Sequence, residues 1–430
     1  MKKKAFGLLL ILACVLILMA CGRGTTTQGQ SRVVFWHWWA GHEETFLRTI
    51  ADEYTAKTGT QVELLQIKDY ATVLTAISGG NPPDVIMVTA KDQLAELVSS
   101  GATYPLDELI TRDKIDTNVF LDSAINSYKF NGKLHGLPFM GFNDGLIWNK
   151  TLFREAGLDP NNPPKTAEEM VEFARRLTKL DASGNIIQLG FIPNWPFDHL
   201  TGANSSYIRV FDGELYDEIS GKYTTTNEGI VKVLEWQRSF YEGLDPQRVA
   251  NFINSAGAYL TPEDLFQTGK VAMAIDGCWS VRFIEESNID FGAYTVPVSK
   301  DNFHLSGLNT IDYKPHFIPA GSKNIEGAWD FLKYMILDPE ITARFADASA
   351  NLSQLKKVPT NFTSDLFNNE NYLVFVNAAN GPNCVIQKVF PLYNEVSARL
   401  FTVQETVLRN PNSDIRALLR QVGDEINAQL

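Results

Sequence analysis

The sequence is poor in basic residues and in the side chains that bind transition metals. Lys and Arg total 38 against 50 Asp and Glu, which gives a formal net charge of −12, and there are four cysteines and six histidines in 430 residues. A chain this acidic is a poor candidate for nucleic acid or an anionic bilayer surface. It also lacks an HExxH motif, a Gly-rich phosphate loop and zinc-type Cys/His spacing. We therefore expect no nucleic-acid partner, no metal and no cofactor.

Long apolar runs are also missing, except at the N-terminus. "MKKKAFGLLLILACVLILMAC" has three lysines followed by an apolar run, which is the layout of an export signal. Its last four residues, Leu-Met-Ala-Cys, resemble the bacterial lipobox, in which the cysteine is lipidated and becomes the new N-terminus. We expect a lipoprotein signal peptide over residues 1–20, lipidation of Cys21 and a flexible tether over 21–30. A plain cleaved signal and an uncleaved anchor are the alternatives.

Two cysteines remain beyond Cys21, namely Cys278 and Cys384. Outside the cytoplasm they could form a disulfide, but two buried free thiols would satisfy the sequence equally well.

The length and the order of the predicted elements indicate two α/β domains. A chain of 430 residues is too long for one ordinary core. Apolar strands alternate with amphipathic helices in the segments "RVVFW", "EETFLRTIADEYTAKTG", "TQVELLQI", "YATVLTAISGG" and "NPPDVIMV". Strand–helix–strand order predicts a parallel sheet with right-handed crossovers, whose ligands lie beyond the carboxyl ends of the strands.

Two helix starts are predicted in the second half. Thr166 and Glu169 have the spacing of a capping box. Thr261 and Asp264, with Pro262 between them, predict a second helix that ends at Gly269. The strand "VAMAI" follows this second helix and leads directly into "DGCW".

Several segments together resemble bacterial extracellular solute-binding proteins of the maltose-binding type, the receptor subunits of ABC importers. They occur in the family's order over roughly residues 33–350 and read "SGGNPPDVIMV", "YPLDELI", "GKLHGLPF", "LIWNKTLFREAGL", "PKTAEEMVEFARRLTK", "FQTGKVAMAIDGCW", "YTVPV" and "IPAGSKNIEGAWDFLKYM". Each is weak alone, and the last eighty residues match only loosely.

The resemblance implies a two-lobed periplasmic-binding-protein fold of class II type, each lobe a mixed sheet flanked by helices, with the ligand cleft between the lobes. The expected lobes are 31–141 with 309–352, and 142–308 with 353–430. Crossings are expected near 141–145, 304–310 and 351–358. "SGLNTIDYKP" departs from the glycine-rich segment common after the second crossing, which puts the expected backbone contacts there in doubt.

Aromatic and short polar side chains at predicted strand ends are suited to a sugar, because a ring covers the apolar face of the sugar and carboxylates or amides bind its hydroxyls. Strand alternation assigns Trp36 to the core and leaves Trp38 and Trp39 at the cleft rim, although packing on the following helix would also explain them. The candidate ligand-binding residues are Trp38, Trp39, His42, Tyr70, Asp92, Asn143, Asp144, Trp195, Asp198, Asp276 and Trp279.

The resemblance implies a receptor rather than an enzyme: a monomer, lipid-anchored on the extracytoplasmic face of the cell membrane, that delivers a carbohydrate to ABC permease subunits. Two alternatives remain open. A secreted glycosidase would need two carboxylates about 5–10 Å apart, which Asp144, Asp198 and Asp276 could supply. A sensor-linked receptor, or a receptor for a polyamine, peptide or glycerophosphodiester, is the other.

Overall fold

The computed structural model describes residues 31–89, 91–196, 200, 206–359, 365–386 and 388–430. The predicted signal peptide, the tether, Cys21 and Asp198 lie outside the described residues. Within the part that is described, no helix combines the length and apolarity needed to cross a membrane.

Fifteen strands are found among the described residues. In chain order they are β1 Arg32–His37, β2 Gln61–Gln66, β3 Val85–Met87, β4 Lys129–Phe130, β5 Lys133–Leu134, β6 Leu137–Phe142, β7 Asp144–Asn149, β8 Lys179–Leu180, β9 Ile186–Phe191, β10 Tyr216–Asp217, β11 Lys222–Tyr223, β12 Val271–Gly277, β13 Phe291–Tyr294, β14 Asn309–Phe317 and β15 Cys384–Ile386.

The α-helices of the described residues cover both faces of the sheets. They are α1 Gly41–Thr58, α2 Tyr70–Ser78, α3 Lys91–Ser99, α4 Asp107–Arg112, α5 Asp122–Asn126, α6 Lys150–Glu155, α7 Ala167–Leu177, α8 Tyr207–Val210, α9 Glu228–Ser239, α10 Pro246–Asn254, α11 Ser280–Glu286, α12 Ile325–Leu337, α13 Pro339–Ser349, α14 Glu370–Ala379, α15 Tyr393–Arg409 and α16 Ile415–Asn427.

Two mixed sheets organise the chain. The first has the order β15-β14-β3-β1-β2, with β6 also paired to β14, and the second has the order β13-β7-β12-β9-β8. In the first sheet β1 pairs in parallel with β2 and β3, as the strand–helix–strand pattern predicts, while β14 runs antiparallel to β3 and β6. Two buried hydrophobic cores are present: the second lies on the second sheet, and the first lies on the first sheet but also takes in Ile147, Ala274 and Ala293 of the second. We call the first sheet with its helices the first lobe, and the second sheet with its helices the second lobe.

The chain changes sheets at short connections. The first connection is Asn143 alone, between β6 and β7, and the chain returns between β13 and β14. The predicted division places 353–430 in the second lobe, whereas β15 pairs in parallel with β14 of the first sheet. Tyr372 and Phe375 of α14 also belong to the first core. These residues therefore depart from the predicted boundary.

Local sequence signals explain where several helices begin and end. Helix α1 ends at Gly59, whose φ of 75° is the left-handed conformation that glycine adopts without strain. The predicted capping box is present at α7: Thr166 Oγ1 accepts from the Glu169 amide, and Glu169 Oε2 accepts from the Thr166 amide.

The predicted helix over residues 261–269 is wrong, because this segment is a series of turns. The Asp264 carboxylate accepts hydrogen bonds from the backbone amides of Leu260, Phe266 and Gln267. Thr261 Oγ1 donates to the Ala258 carbonyl instead of capping a helix. Side chains that bond nearby backbone groups compete with helix formation, and here they hold a turn.

The interpretation of Trp36 as a core residue also needs correction. Val33, Phe35 and His37 form the fully buried face of β1, whereas Trp36 is half-buried on the opposite face and packs at the margin of the first core. In a strand, alternate side chains point to opposite faces, so the sequence predicts the alternation correctly but not which face is the more deeply buried.

Candidate ligand-binding site

The connection between the two sheets is held by buried amide groups. Asn143 Nδ2 donates to Asn309 Oδ1 at 3.0 Å and to the Phe375 carbonyl at 2.8 Å. Asn309 Nδ2 donates to the Asp144 carbonyl at 3.1 Å, and Ser206 Oγ donates to Asp144 Oδ2 at 3.3 Å. The predicted site residues Asn143 and Asp144 therefore link strands of both sheets where the chain crosses.

Three predicted site residues of the second lobe meet around one tyrosine. Tyr259 Oη donates to Asp276 Oδ1 at 2.6 Å, and Trp279 Nε1 donates to Tyr259 Oη at 2.9 Å. The Trp195 ring lies edge-on to Tyr259, with centroids 6.4 Å apart. We call Trp195, Tyr259, Asp276 and Trp279 the aromatic cluster. Burial, and then the neighbouring Asp276 carboxylate, raises the pKa of Tyr259 well above its ordinary value, so its hydroxyl stays a donor at physiological pH.

Tyr259 was missed by the sequence analysis. It lies in an irregular segment between α10 and β12, twenty residues before the strand-end tryptophan that it contacts. A lone tyrosine in a loop has no periodicity or spacing that would indicate a role.

The aromatic cluster touches the first lobe through Phe142 and Lys314. The rings of Trp279 and Phe142 are 5.9 Å apart, and Lys314 Nζ lies 5.7 Å from the Trp279 centroid. Lys314 also donates to Asn351 Oδ1 at 2.6 Å, and Asn351 in turn donates to Glu43. Both lobes therefore contribute polar and aromatic groups here.

Trp39 does not lie at the cleft rim as predicted. It is 1% exposed, and its ring packs against Phe345, His316 and Phe139 with centroid distances of 4.7, 5.3 and 5.8 Å. The β1 alternation simply continues beyond the strand, which makes Trp39 a core residue. Trp38 is half-buried, and its Nε1 is buried without a hydrogen-bond partner among the described residues.

The remaining predicted residues lie at the N-terminal ends of first-lobe helices. His42 Nε2 is 3.0 Å from Glu286 of α11, so it contacts the helix that follows β12. Tyr70 Oη donates to the Gln93 carbonyl at 3.1 Å. Asp92, in the first turn of α3, has its pKa raised by burial. The Tyr70–Gln93 hydrogen bond thus joins the N-terminal ends of α2 and α3.

A cavity of about 710 Å³ lies between the lobes. Its wall includes Lys91 and Ser123 from the first lobe, Arg209 and Tyr216 from the second, and Thr310 of β14 next to the connecting amides. The size is that of a site for a small molecule or short oligomer. Lys91, Arg209 and Tyr216 were not in the predicted set. A smaller space of about 380 Å³ surrounds the His42–Glu286 contact.

The described ranges offer little support for a metal site or for reactive cysteines. No group of three His, Cys, Asp or Glu side chains there is placed to hold a metal ion. Cys278 and Cys384 are free thiols, which settles the disulfide alternative left open by the sequence. Burial raises the pKa of Cys278 to about 12 and that of Cys384 to about 11, so both thiols are protonated and unreactive at neutral pH.

Residues 49–371 match the family described as bacterial extracellular solute-binding protein. The chain belongs to this family. The match covers most of the chain, including β14 with both sides of the connection between the sheets. It confirms the family and the two-lobed fold, and the family consists of binding proteins rather than enzymes. The glycosidase alternative is therefore set aside.

Similar proteins cover between 75% and 93% of the chain. The maltotriose-binding protein of Pyrococcus abyssi is 24% identical over 93% of this chain and 82% of its own length. The maltooligosaccharide ABC transporter solute-binding lipoprotein of Streptococcus pneumoniae R6 is 24% identical over 75% of this chain and 73% of its own. The solved structure of CpMnBP1 with mannotriose bound is 28% identical, has a TM-score of 0.81, and matches 92% of this chain and 100% of its own.

Proposed function

We propose that this protein is an extracytoplasmic receptor that binds a carbohydrate between its two lobes and delivers it to the permease subunits of an ABC importer. The observation that carries the proposal is the cavity of about 710 Å³ with walls from both lobes. The names of the similar proteins, which bind maltotriose, maltooligosaccharide and mannotriose, support an oligosaccharide over a monosaccharide.

We propose the aromatic cluster, which lies outside the lining of that cavity, as a sugar platform. The half-buried rings of Trp195 and Trp279 offer flat apolar surfaces, while Asp276 and Tyr259 offer hydroxyl-binding groups beside them. Trp38, His42, Tyr70, Asp92, Asn143 and Asp144 are kept in the proposed set, and Asp198 is kept although it lies outside the described residues. Trp39 acts through packing only.

The proposed mechanism is a clamp. Two lobes joined by short connections can move relative to each other, and a ligand shifts that equilibrium only if it interacts differently with the open and closed arrangements. A sugar that touches Lys91 of the first lobe and Tyr216 of the second satisfies this condition.

The binding test is a thermal-shift screen of the full chain across neutral and acidic mono- and oligosaccharides. A ligand at 100 times its Kd stabilises the folded state by about 2.7 kcal/mol, which gives a clear shift of Tm. A matched control replaces an exposed aromatic outside the site, Phe401→Ala. A screen in which no carbohydrate shifts Tm contradicts the proposal.

The proposed location rests on Cys21, which would carry the lipid that anchors a monomeric receptor to the extracytoplasmic face of the membrane. Cys21→Ser should abolish labelling by a fatty-acid analogue, and Cys384→Ser is the matched control because its thiol lies within the folded part of the chain. Continued labelling of Cys21→Ser would rule out this anchor.

A receptor for a non-sugar solute, or one that signals to a sensor, is the second possibility. A polyamine or peptide that shifts Tm more than every saccharide would favour it. Incubation with the bound oligosaccharide should leave the sugar intact, as expected for a receptor.

A further inference from the structure

The inter-lobe cavity is cationic in a protein that is acidic overall. Among the described residues that line it, the charged side chains are those of Lys91, Arg209, Lys388 and Glu214. Three cations thus face one carboxylate, although the whole chain has a net charge of −12. A neutral ligand gives no reason for this concentration of positive charge.

One of the three cations is already neutralised within the protein. Lys388 Nζ lies 2.5 Å from Glu218 Oε1, and both side chains are mostly exposed. This pair lies at the solvent side of the cavity and contributes little net charge to it. Lys91 and Arg209 are the two cations that remain.

Arg209 makes no ion pair within 4.0 Å in the part of the chain that the structure describes, although Glu214 lines the same cavity. Arg209 lies in α8, is half-buried, and its Nε is buried with no hydrogen-bond partner. Thr310 Oγ1, on another wall of the same cavity, is buried and also without a partner. Buried polar atoms are nearly always hydrogen-bonded, so these two are open to a partner from outside the protein, either water or a polar atom of a ligand.

Lys91 comes from the opposite lobe. Its backbone amide donates to Asp312 Oδ2 at 3.2 Å, and no ion pair of its ammonium is found among the described residues. Burial lowers the pKa of Lys91, which is the cost of keeping this charge out of water. An anion beside it would offset that cost.

The neighbouring carboxyls do not supply that anion. Burial raises the pKa of Asp312 to about 7 and also raises the pKa of Asp92. Asp312 already accepts the backbone amides of Tyr313 and Lys91. These two acids therefore balance only part of the positive charge of Lys91.

We propose that the ligand is an acidic saccharide, whose carboxylate or phosphate group is bound between Lys91 of the first lobe and Arg209 of the second. The inference rests on the proposed carbohydrate function and names the class of sugar. The guanidinium fork binds carboxylate and phosphate oxygens in pairs, and the ammonium binds as a point charge. Because one anion engages both lobes, it also contributes to closing them.

The test compares neutral sugars with acidic counterparts of the same linkage. Isothermal titration of the full chain would use β-1,4-mannotriose against β-1,4-tri-mannuronate, galactotriose against tri-galacturonate, and mannose against mannose 6-phosphate. We expect at least one acidic member to bind about tenfold or more tightly than its neutral partner, with the preference falling as salt screens the charges. The uronate and phosphate arms distinguish the two anions.

Variants assign the preference to the two cations. Arg209→Gln and Lys91→Gln should each reduce the ratio of acidic-sugar affinity to neutral-sugar affinity by about tenfold. Arg420→Gln, an exposed arginine on α16 outside the cavity, is the matched control and should keep the full ratio.

Three results would overturn the inference. If neutral sugars bind as tightly as their acidic partners, the inference of an acidic ligand is wrong, while the proposed receptor function is retained. If both Gln variants weaken neutral and acidic sugars equally, the cations bind hydroxyls. If no saccharide binds at all, the proposed function fails, and this inference fails with it.

Discussion

Burial divides the tryptophans into two groups with different roles. Trp39 and Trp329 are completely enclosed, whereas Trp195 and Trp279 are half-buried and pack at the margins of the cores. An enclosed ring stabilises the fold by removing a large apolar surface from water, and a half-buried ring keeps a face available to a ligand. Because all four residues are tryptophans, the same substitution can be made at each. It should lower stability where the ring is enclosed and lower ligand affinity where the ring is half-buried.

Trp39→Ala should therefore lower stability, and Trp279→Ala should lower affinity. Removing the enclosed ring of Trp39 leaves a cavity and should cost about 3–5 kcal/mol of unfolding free energy. Removing the Trp279 ring should cost less stability but weaken saccharide binding by about tenfold or more. Urea denaturation and isothermal titration measure the two effects. Equal losses of stability in both variants would contradict the assignment of Trp279 to the site.

Tyr259→Phe tests the centre of the aromatic cluster. The change removes the hydrogen bond to Asp276 Oδ1 and the acceptor for Trp279 Nε1. We expect the unfolding free energy to fall by about 1–3 kcal/mol, because buried polar atoms lose a hydrogen-bond partner. We also expect weaker sugar binding. Tyr334→Phe, at a half-buried position of α12, is the matched control and should change neither quantity. Unchanged stability and affinity in Tyr259→Phe would remove Tyr259 from the site.

Asp312 should make stability fall as pH rises. Burial raises its pKa from 3.8 to about 7 in the folded protein, so between these values the folded state binds more protons than the unfolded state. The unfolding free energy contributed by this group is therefore present below about pH 4 and is lost as pH rises to about 7. In Asp312→Asn this contribution is absent, so the stability of the variant relative to the native protein should increase from pH 4.5 to 7.5. A difference that is independent of pH in urea denaturation would contradict this.

At the scale of the element, close backbone contact decides which substitutions a helix or strand accepts. Helix α7 lies so near β9 that a Cβ on Gly190 would be 2.1 Å from the Ala174 carbonyl oxygen. Its own signals, the capping box and an apolar face, define α7 in the sequence. The segment 261–269 has similar start signals but forms turns, because Asp264 bonds three backbone amides.

Gly190→Ala should separate α7 from the second sheet. The methyl group would overlap backbone atoms that cannot rotate away, so the helix must move. This movement should lower the unfolding free energy by about 1–3 kcal/mol or more. Gly321→Ala is the control, since its nearest neighbour is the Pro82 ring at 3.3 Å. Thermal or urea denaturation measures both variants. A native Tm for Gly190→Ala would show that the helix–sheet contact is looser than described.

At the scale of the whole molecule, a few polar contacts join the lobes away from the aromatic cluster. Asn394 of α15 donates to Glu96 of α3 at 2.9 Å, and His42 of α1 meets Glu286 of α11 at 3.0 Å. Exposed contacts of this kind contribute little each, on the order of 1 kcal/mol or less. The first core also packs residues of both sheets together, so a ligand that engages both lobes adds to contacts that already exist between them.

Saturating saccharide should consequently reduce the radius of gyration measured by small-angle X-ray scattering. The ligand would be the sugar that gives the largest shift of Tm. Trp279→Ala should show less compaction at equal saturation, because one lobe loses its contact, and Phe401→Ala should behave as the native protein. Tight binding with an unchanged scattering profile would rule out the clamp.

The sequence by itself determined much of the secondary structure and the family. Strand–helix–strand order predicts the parallel pairs of β1 with β2 and β3, and the capping box of α7 and the glycine end of α1 are confirmed. These features depend on residues close in the chain, where periodicity and capping chemistry act directly. The grouping of Trp195, Asp276 and Trp279 at strand ends was also predictable in part.

Only the tertiary structure decided which side chains are enclosed and which meet across the lobes. Trp39 became core because α13 and β14 cover it with Phe345 and His316, far away in sequence. Tyr259 reached Asp276 because an irregular segment folds back onto β12. Lys91 and Arg209 came to face one cavity because the chain crosses between the two sheets at Asn143, between β6 and β7, and the two lobes then lie side by side. Such contacts depend on the packing of distant segments, which local patterns do not encode.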